Sequence, residues 1–558
     1  MRAQTFFWMT ALVSAGCIQD LLDAGAALSP DTDTTSSSGT TAAEMPTPTT
    51  SGGSGVQTVT GLSGEADGTS GTTAIETTET PEPNAPPMVE LLAVPDHLGE
   101  AGKAFLQLEA SADVVKVRLS LDGAPLAELT PADFPYVYEA LSAKDNGTPH
   151  VFTVEVDDAE GLTATDDAEL TVLLPPSGAQ KCLFTDSGAV SSVISALVYT
   201  DEAIVAVGAR DTGAGYRATI WKLDPDHCEV VLPGWPKSLA DWTAEPAFAA
   251  LPSRAAAVDV DQFGNLAVGI NLTSGGVPQR YVAFLTADGA RLWEKPGKIG
   301  EEVAGVAITP ETVVAVGWGR TNEDPIRTDA MLWRHLEGGG VWPTSLKAPF
   351  TPDEVSPDLT NQWSEWARAV LYDSQAGVLV VVGDRELKTA DNKVYRRGFV
   401  ARFAPLGGKF GLPWTSTGDP LLNDGINAIT RCGGDILLGG WAQDWLPGSL
   451  PTPLTRWLDP DGTATARVVE SMAGTQTFGI GCDREGKVVH GAMRVSGQLD
   501  AQVFAFQDPK EPRLWYDAGS PGNDGAGAVR CDSRGFCAWG GFRTLLGKTS
   551  AVLRAHHP

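Results

Sequence analysis

Trp515 to Phe542 reads WYDAGSPGNDGAGAVRCDSRGFCAWGGF, and degenerate copies of it fill the C-terminal two-thirds of the 558-residue chain. Each copy has a small residue and an aliphatic, a short polar turn, an aliphatic run and a closing glycine. The openings are Ala196-Leu197, Ala257-Val258, Gly305-Val306, Ala369-Val370, Ala428-Ile429, Gly479-Ile480 and Ala528-Val529. The closing glycines are Gly208, Gly269, Gly317, Gly383, Gly439, Gly491 and Gly540; they recur 48 (Gly269 to Gly317) to 66 (Gly317 to Gly383) residues apart. Such a unit is two short strands around a tight turn, as in DQFGN (Asp261 to Asn265) or DSRG (Asp532 to Gly535). A third strand follows a variable loop, and a fourth often ends in Trp: Trp235, Trp293, Trp342, Trp414 and Trp515.

Seven four-stranded units at this period describe a β-propeller. The seventh unit stops after its third strand, at Pro558, but Leu183 to Gly188 reads like Leu514 to Gly519. The N-terminal strand is therefore expected to complete the last blade and close the ring, which removes exposed sheet edges. The carrying residues are Trp515, the GNDG run Gly522 to Gly525, Ala528-Val529, the turn to Gly535, Gly540-Gly541 and the echo Asn423 to Ile429. On them, residues 177–558 resemble the bacterial seven-bladed β-propeller repeat family. The resemblance implies a fold and no single activity.

Residues 1–17, MRAQTFFWMTALVSAGC, read as a leader: Arg2 is cationic, and Phe6 to Ala15 is apolar but too short to span a bilayer. Ser14-Ala15-Gly16-Cys17 is similar to the bacterial lipobox, with Ser14 where Leu is commoner. That resemblance implies a lipidated Cys17 holding the protein on a membrane by acyl chains alone. Residues 18–87 are rich in Thr, Ser, Gly and Pro, with ten acidic residues and no Lys or Arg. They carry too few large apolar side chains to offset the entropy of ordering, so a disordered tether is expected.

Residues 88–176 alternate like strands in VELLAVP, AFLQLEA, VVKVRLSLDG, VFTVEVDD and AELTVLL. The closing VFTVEVDDAEGLTATDDAELTVLL resembles the last hairpin of bacterial immunoglobulin-like domains, without the Cys…Trp…Cys pattern of antibody domains. Asp157, Asp158 and Glu160 read as a solvated turn, since no full oxygen-ligand set for calcium is visible. The fold class is thus all-β: a disordered N-terminal tether, an immunoglobulin-like β-sandwich and a seven-bladed β-propeller. Gly 62, Pro 38 and Trp 16 agree with turn-rich β structure. The net charge of −30 opposes nucleic acid and anionic lipid headgroups, leaving Cys17 as the membrane contact; a monomer is expected.

Six cysteines remain after Cys17. Cys531 and Cys537 flank one tight turn and should face each other across the hairpin as a disulfide. Cys432 and Cys482 occupy the repeat position of Cys531. Cys182 and Cys228 fall on the outer strands of blades seven and one, where neighbouring blades splay apart, which weakens their pairing. No CxxC is present and the histidines are scattered, so no metal is expected.

The long connections, between strands two and three and between blades, all emerge on one face, where function is usually found. Arg210, Arg320, Arg385, Arg494 and Arg543 follow the closing glycines by two or three residues, with Trp318, Trp441 and Phe542 beside them. Together they would hold an acidic sugar or peptide by bidentate hydrogen bonds and stacking. The plainer alternative is that the arginines cap strand ends and pair with local carboxylates. DGARLW (Asp288 to Trp293) looks like the tryptophan-docking motif of quinoprotein propellers, where it locks blades; no cofactor is called for. No nucleophile elbow, P-loop or zinc-protease helix is present, so no catalytic residue is named. The expected function is an exported, lipid-anchored cell-envelope protein, on the outer membrane, that binds or adheres to a glycan or protein. An enzyme acting on polysaccharide through paired carboxylates, or an envelope-assembly scaffold, are the alternatives.

Overall fold

The computed structural model describes residues 85–99, 102–140, 149–320, 328–336, 341–345, 362–388, 394–415, 422–444, 449–458, 464–468, 472–483, 486–495, 499–506, 512–518, 523–545 and 547–558. The leader with Cys17, and the tether up to residue 84, lie outside the described residues.

Two sheets precede the repeats. One has three strands, Val89–Val94, Gly102–Ala110 and Tyr136–Ala140; the other has five, in the order His97–Leu98, Thr163–Val172, Pro149–Asp158, Val114–Leu121, Ala124–Leu129. Alternation turns every second side chain inward. Leu91, Leu106 and Tyr138 of the first sheet share one core with Val117, Leu119, Phe152, Val154 and Leu170 of the second. The acidic hairpin closes on itself. Arg118 bridges Glu155 (2.5 Å) and Asp157 (2.6 Å), and the Asp158 carboxylate accepts the Glu160 and Leu162 backbone N–H groups.

From residue 180 onward, seven four-stranded antiparallel sheets follow one another among the described residues. Numbered one to seven, their first strands are Ser191–Tyr199, Ser253–Val260, Glu301–Ile308, Gln362–Asp373, Leu422–Cys432, Thr475–Cys482 and Asp524–Cys531. Each first strand packs against the next, and that of sheet seven packs against that of sheet one. The fourth strand of sheet seven is Gln180–Thr185, whose Leu183 and Phe184 pair with Arg554 and Leu553. The architecture is therefore of the propeller type: small sheets in a closed circuit, sealed by a strand from the start of the series.

Every first strand carries a β-bulge, one residue unmatched on the second strand. The bulge residues are Ser195, Ala256, Ala304, Arg368, Asn427, Phe478 and Gly527. The residue before each bulge pairs with Gly208, Ile270, Gly317, Gly383, Gly440, Ala492 and Gly541 in turn. A Cβ on Gly208, Gly317, Gly383, Gly440 or Gly541 would run into the carbonyl oxygen of the residue two before the bulge. Gly208, Gly317 and Gly383 of the repeating glycines thus face the residue before a bulge, whereas Gly269, Gly439, Gly491 and Gly540 face the residue after it, next to Ile270, Gly440, Ala492 and Gly541.

Fourth-strand tryptophans join consecutive sheets. Trp293 stacks on His335 of sheet three, with ring centroids 5.7 Å apart. Trp515 covers Gly178, beside the closing strand, so closely that a side chain at Gly178 would overlap its indole. The DGARLW segment therefore has the sheet-locking role.

Disulfides join Cys531 to Cys537, Cys432 to Cys482 and Cys182 to Cys228, with Cα–Cα distances of 4.0, 5.4 and 5.6 Å. The first lies across its hairpin as expected. The last settles a pairing that the splay of the outer strands had weakened. Cys228 sits in the turn between Tyr216–Leu223 and Lys237–Ser238, not on a strand, and that turn reaches across to the closing strand of sheet seven.

Candidate functional site

The second strands end where the long connections begin, and their last residues fall into two rows. The residue two before each bulge pairs with Ala209, Asn271, Trp318, Asp384, Trp441, Met493 and Phe542. The residue three before it pairs with Arg210, Leu272, Gly319, Arg385, Ala442, Arg494 and Arg543. The three aromatics singled out in the sequence share the first row; four of the five arginines share the second. Adjacent rows point to opposite faces of a sheet. The arginines and aromatics therefore do not form one surface, although they are neighbours in sequence. The side chain of Arg320 lies outside the described residues.

The arginine row runs along the long-loop ends of the sheets, where Arg210 crosses to a neighbouring sheet and Arg494 and Arg543 meet carboxylates of their own sheets. Beside it, Ser192 Oγ accepts the Ala551 N–H of sheet seven and Ser253 Oγ accepts the Ala218 N–H of sheet one. Asp424 accepts the Gly398 N–H of sheet four and a hydrogen bond from Arg456 (2.7 Å). Arg210 reaches from sheet one to Asp186 at the end of the closing strand, 2.9 Å away. Arg385 is 4% exposed, opposite Glu365 at 5%. Arg494 pairs with Asp517 (3.2 Å) and Asp500 (3.9 Å), and Arg543 lies 3.9 Å from Asp524. Arg385 is buried, and Arg210, Arg494 and Arg543 each stand within 4 Å of a carboxylate, with the last two side chains 38% and 41% exposed.

Of the aromatics, Trp441 and Phe542 lie over Gly425 and Gly525, their rings occupying the space a Cβ would need, and each is 7% exposed. Little of either ring is open to a ligand. Trp318 is half-buried, and the Arg368 guanidinium of sheet four stands 5.3 Å from its centroid. Arg368 is also 5.7 Å from Trp366, and Arg396 lies 5.6 Å from that same ring. Asp384 holds Arg368 (2.7 Å) and Glu386 holds Arg396 (3.0 Å). A stack Trp318–Arg368–Trp366–Arg396 thus stands at the long-loop end of sheets three and four. Three of its members were missed in the sequence. Arg368 had a signal: each bulge residue directly precedes the small residue that opens its repeat.

The seven bulge residues form one tier on the innermost strands. All are half-buried, whereas the residue before each is buried. Gly527, Ser195, Ala256 and Ala304 make one half of the tier small; Arg368, Asn427 and Phe478 make the other half large. Side chains link the tier round the circuit: Arg254 Nε donates to Ser195 Oγ (2.8 Å) and Asn427 Nδ2 donates to Thr477 O (2.7 Å). Three residues further along, burial pushes the Asp259 carboxyl up, while its oxygen accepts the Ile308 N–H and Arg530 opposes the shift.

Buried imidazoles mark the sheet interfaces. His490 lies between Thr455 and Thr477 hydroxyls, both at 2.8 Å, and burial lowers its pKa to about 3. Burial likewise lowers His335 to about 3 and His556 to about 4. The one Cys, His, Asp and Glu cluster of metal-binding size among the described residues is Cys182, Cys228 and Glu229, and its sulfurs are joined as a disulfide.

No protein-family model matches the sequence, and no curated protein matches it. Solved structures resemble the chain weakly. The extracellular domain of BT4673 from B. thetaiotaomicron gives a TM-score of 0.37 at 12% identity, over 67% of this chain and 39% of that one. This chain thus spans about two-fifths of that domain's length. The Penicillium chrysogenum alpha-L-arabinanase complexed with arabinobiose gives 0.36 at 13% identity, over 54% of this chain and 92% of that one. A quinonprotein alcohol dehydrogenase-like protein from Bacteroides thetaiotaomicron gives 0.31 at 7% identity, over 76% and 93%. Scores this low leave both fold and function to be argued from the chain's own residues.

Proposed function

We propose that the chain is an exported binding protein of the bacterial cell envelope. It would be anchored on the outer membrane through lipidated Cys17 and carried as a monomer on a tether and an immunoglobulin-like domain. It would recognise a glycan or a protein at the long-loop end of a seven-bladed propeller. The seven sheets with a closing strand support the propeller, and three disulfides accord with an oxidising compartment. The observation that carries the binding role is the half-buried Trp318–Arg368–Trp366–Arg396 stack, at the end where the connections are longest. Binding is favoured over catalysis because Asp384 beside the stack, and Asp424 and Asp524 at the equivalent end of sheets five and seven, are already engaged. Asp384 holds Arg368, Asp424 takes Arg456 and a backbone N–H, and Asp524 accepts the Thr544 N–H.

The test is retention of envelope proteins and array glycans by the full chain and its Trp318→Ala, Trp366→Ala and Arg494→Ala variants, each checked for an unchanged thermal midpoint. Retention lost in both tryptophan variants and kept in Arg494→Ala supports the reading. Equal retention by all three, or none by the wild type, sinks it. Labelling with an alkyne fatty acid, present in the wild type and absent in Cys17→Ser, tests the anchor.

A further inference from the structure

We infer that the root of the closing strand is a tension clamp, which passes a pull from the N-terminal side into sheet one and shields the seam between sheets seven and one. The inference rests on the chain being a tethered binding protein, since a ligand held at the far end then pulls against the anchor. Topology fixes where that pull arrives. Gln180, the first residue of the closing strand, faces His556, the last of the third strand of sheet seven. Third strands run from the long-loop end to the short-turn end. The closing strand therefore starts at the short-turn end, opposite the Trp318–Arg368–Trp366–Arg396 stack. In sheets one to six the fourth strand follows the third along the chain. The closing strand has no such connection. It joins sheet seven by pairing alone, with Gln180 and Cys182 to Thr185 facing residues 552–556.

The root of that strand is tied to the turn after the third strand of sheet one. Cys182 is bonded to Cys228, and Lys181 Nζ lies 2.7 Å from Asp226 Oδ1 with its side chain 4% exposed. The turn is closed on itself: Asp224 accepts the Asp226 and His227 N–H groups, and the Val230 N–H donates to His227 O. From sheet seven, Arg534 holds both Asp226 (2.8 Å) and Asp532 (2.9 Å). Ser533 Oγ donates to Asp201, in the first turn of sheet one (2.7 Å). The chain just before the root is fastened as well. Leu174 packs on the core of the two sheets that precede the repeats and on the core shared by sheets seven and one. Lys487 Nζ donates to Ser177 Oγ (3.0 Å), and the Gly178 N–H donates to His557 O (2.9 Å). Backbone pairs and ion pairs give way under a load that a covalent bond withstands. Tension reaching Cys182 thus has a covalent route into Cys228 that bypasses the rest of the closing strand. The Cys432–Cys482 and Cys531–Cys537 bonds lie off that route.

The test is single-molecule stretching of the full chain. One handle is on the unlipidated Cys17 thiol and the other on Ala214→Cys, an exposed position between the second and third strands of sheet one. Changing both Cys182 and Cys228 to Ser is expected to add an early step that the wild type lacks. Freeing residues 182–190 lengthens the chain by about 30 Å, at ~3.3 Å per residue. Changing both Cys531 and Cys537 to Ser, off the route, is expected to match the wild type. If the first double variant does not fold, the wild type stretched after reduction with TCEP takes its place, and the step must appear on reduction. An early step in the oxidised wild type, or none once the Cys182–Cys228 bond is gone, overturns the clamp. The measurement reads the clamp whatever the ligand, whereas a failure of fatty-acid labelling at Cys17 overturns the anchor alone.

Discussion

The two ends of the seven sheets obey different rules. At the short-turn end the same solution recurs. The carboxylates of Asp261, Asp373, Asp483 and Asp532 each accept backbone N–H groups two to four residues on, closing the turn between first and second strands. All three disulfides lie at this end, and Lys181 and Arg534 both clamp Asp226 across the seam between sheets seven and one. At the long-loop end equivalent positions hold Asn271, Trp318, Asp384, Trp441, Met493 and Phe542. The short-turn end carries the covalent closure of the circuit, whereas the long-loop end joins its sheets by hydrogen bonds and ion pairs and varies its side chains more.

That contrast can be broken most sharply at the closing seam. Changing both Cys182 and Cys228 to Ser releases a 46-residue loop and should cost about 4 kcal/mol by loop entropy, read as a lower denaturation midpoint. A midpoint unmoved would mean the seam holds without its disulfide. Arg385→Ala, which leaves buried Glu365 without its cross-strand neighbour, should cost about 3 kcal/mol. A folded Arg385→Ala protein that had lost only ligand binding would return that arginine to the site.

Acid should act on the sheet interfaces. His490 and His335 are held neutral with pKa values of about 3, and His556 with about 4. The unfolded chain protonates them near pH 6.5, so their stability contribution is full above that pH and is lost as pH falls toward the folded values. Between pH 6.5 and 4.5 each should cost about 2–3 kcal/mol, and His490→Gln should flatten the chemical-denaturation profile by one proton. Changing both Cys531 and Cys537 to Ser opens a loop of separation 6 and should cost only about 2 kcal/mol. Arg494→Ala, 38% exposed, should move stability by under ~1 kcal/mol; a larger loss would make its pairing with Asp517 and Asp500 a structural joint.

Much of the circuit was legible because it repeats. The opening pairs and closing glycines located every first and second strand, and Leu183 to Gly188 revealed the closing strand through its likeness to Leu514 to Gly519. The pairing of Cys531 with Cys537 needed only a hairpin. The candidate site was less legible. Arg385 and Trp441 looked like ligand residues because they follow a glycine in a loop-proximal position, yet both are buried. A strand turns adjacent residues to opposite faces, and which face meets a neighbouring sheet depends on register.

The sequence alone therefore determined what local chemistry and repetition encode: strands, turns, the glycines of the second strands and the closing strand. Tertiary structure decided what depends on distance between repeats. It paired Cys182 with Cys228 through a turn, carried Arg210 across a seam to Asp186, buried Arg385, and brought Trp318, Arg368, Trp366 and Arg396 together from separate strands. The reason is physical: backbone geometry and turn chemistry act over a few residues, whereas packing joins side chains tens to hundreds of residues apart only after the sheets have closed on one another.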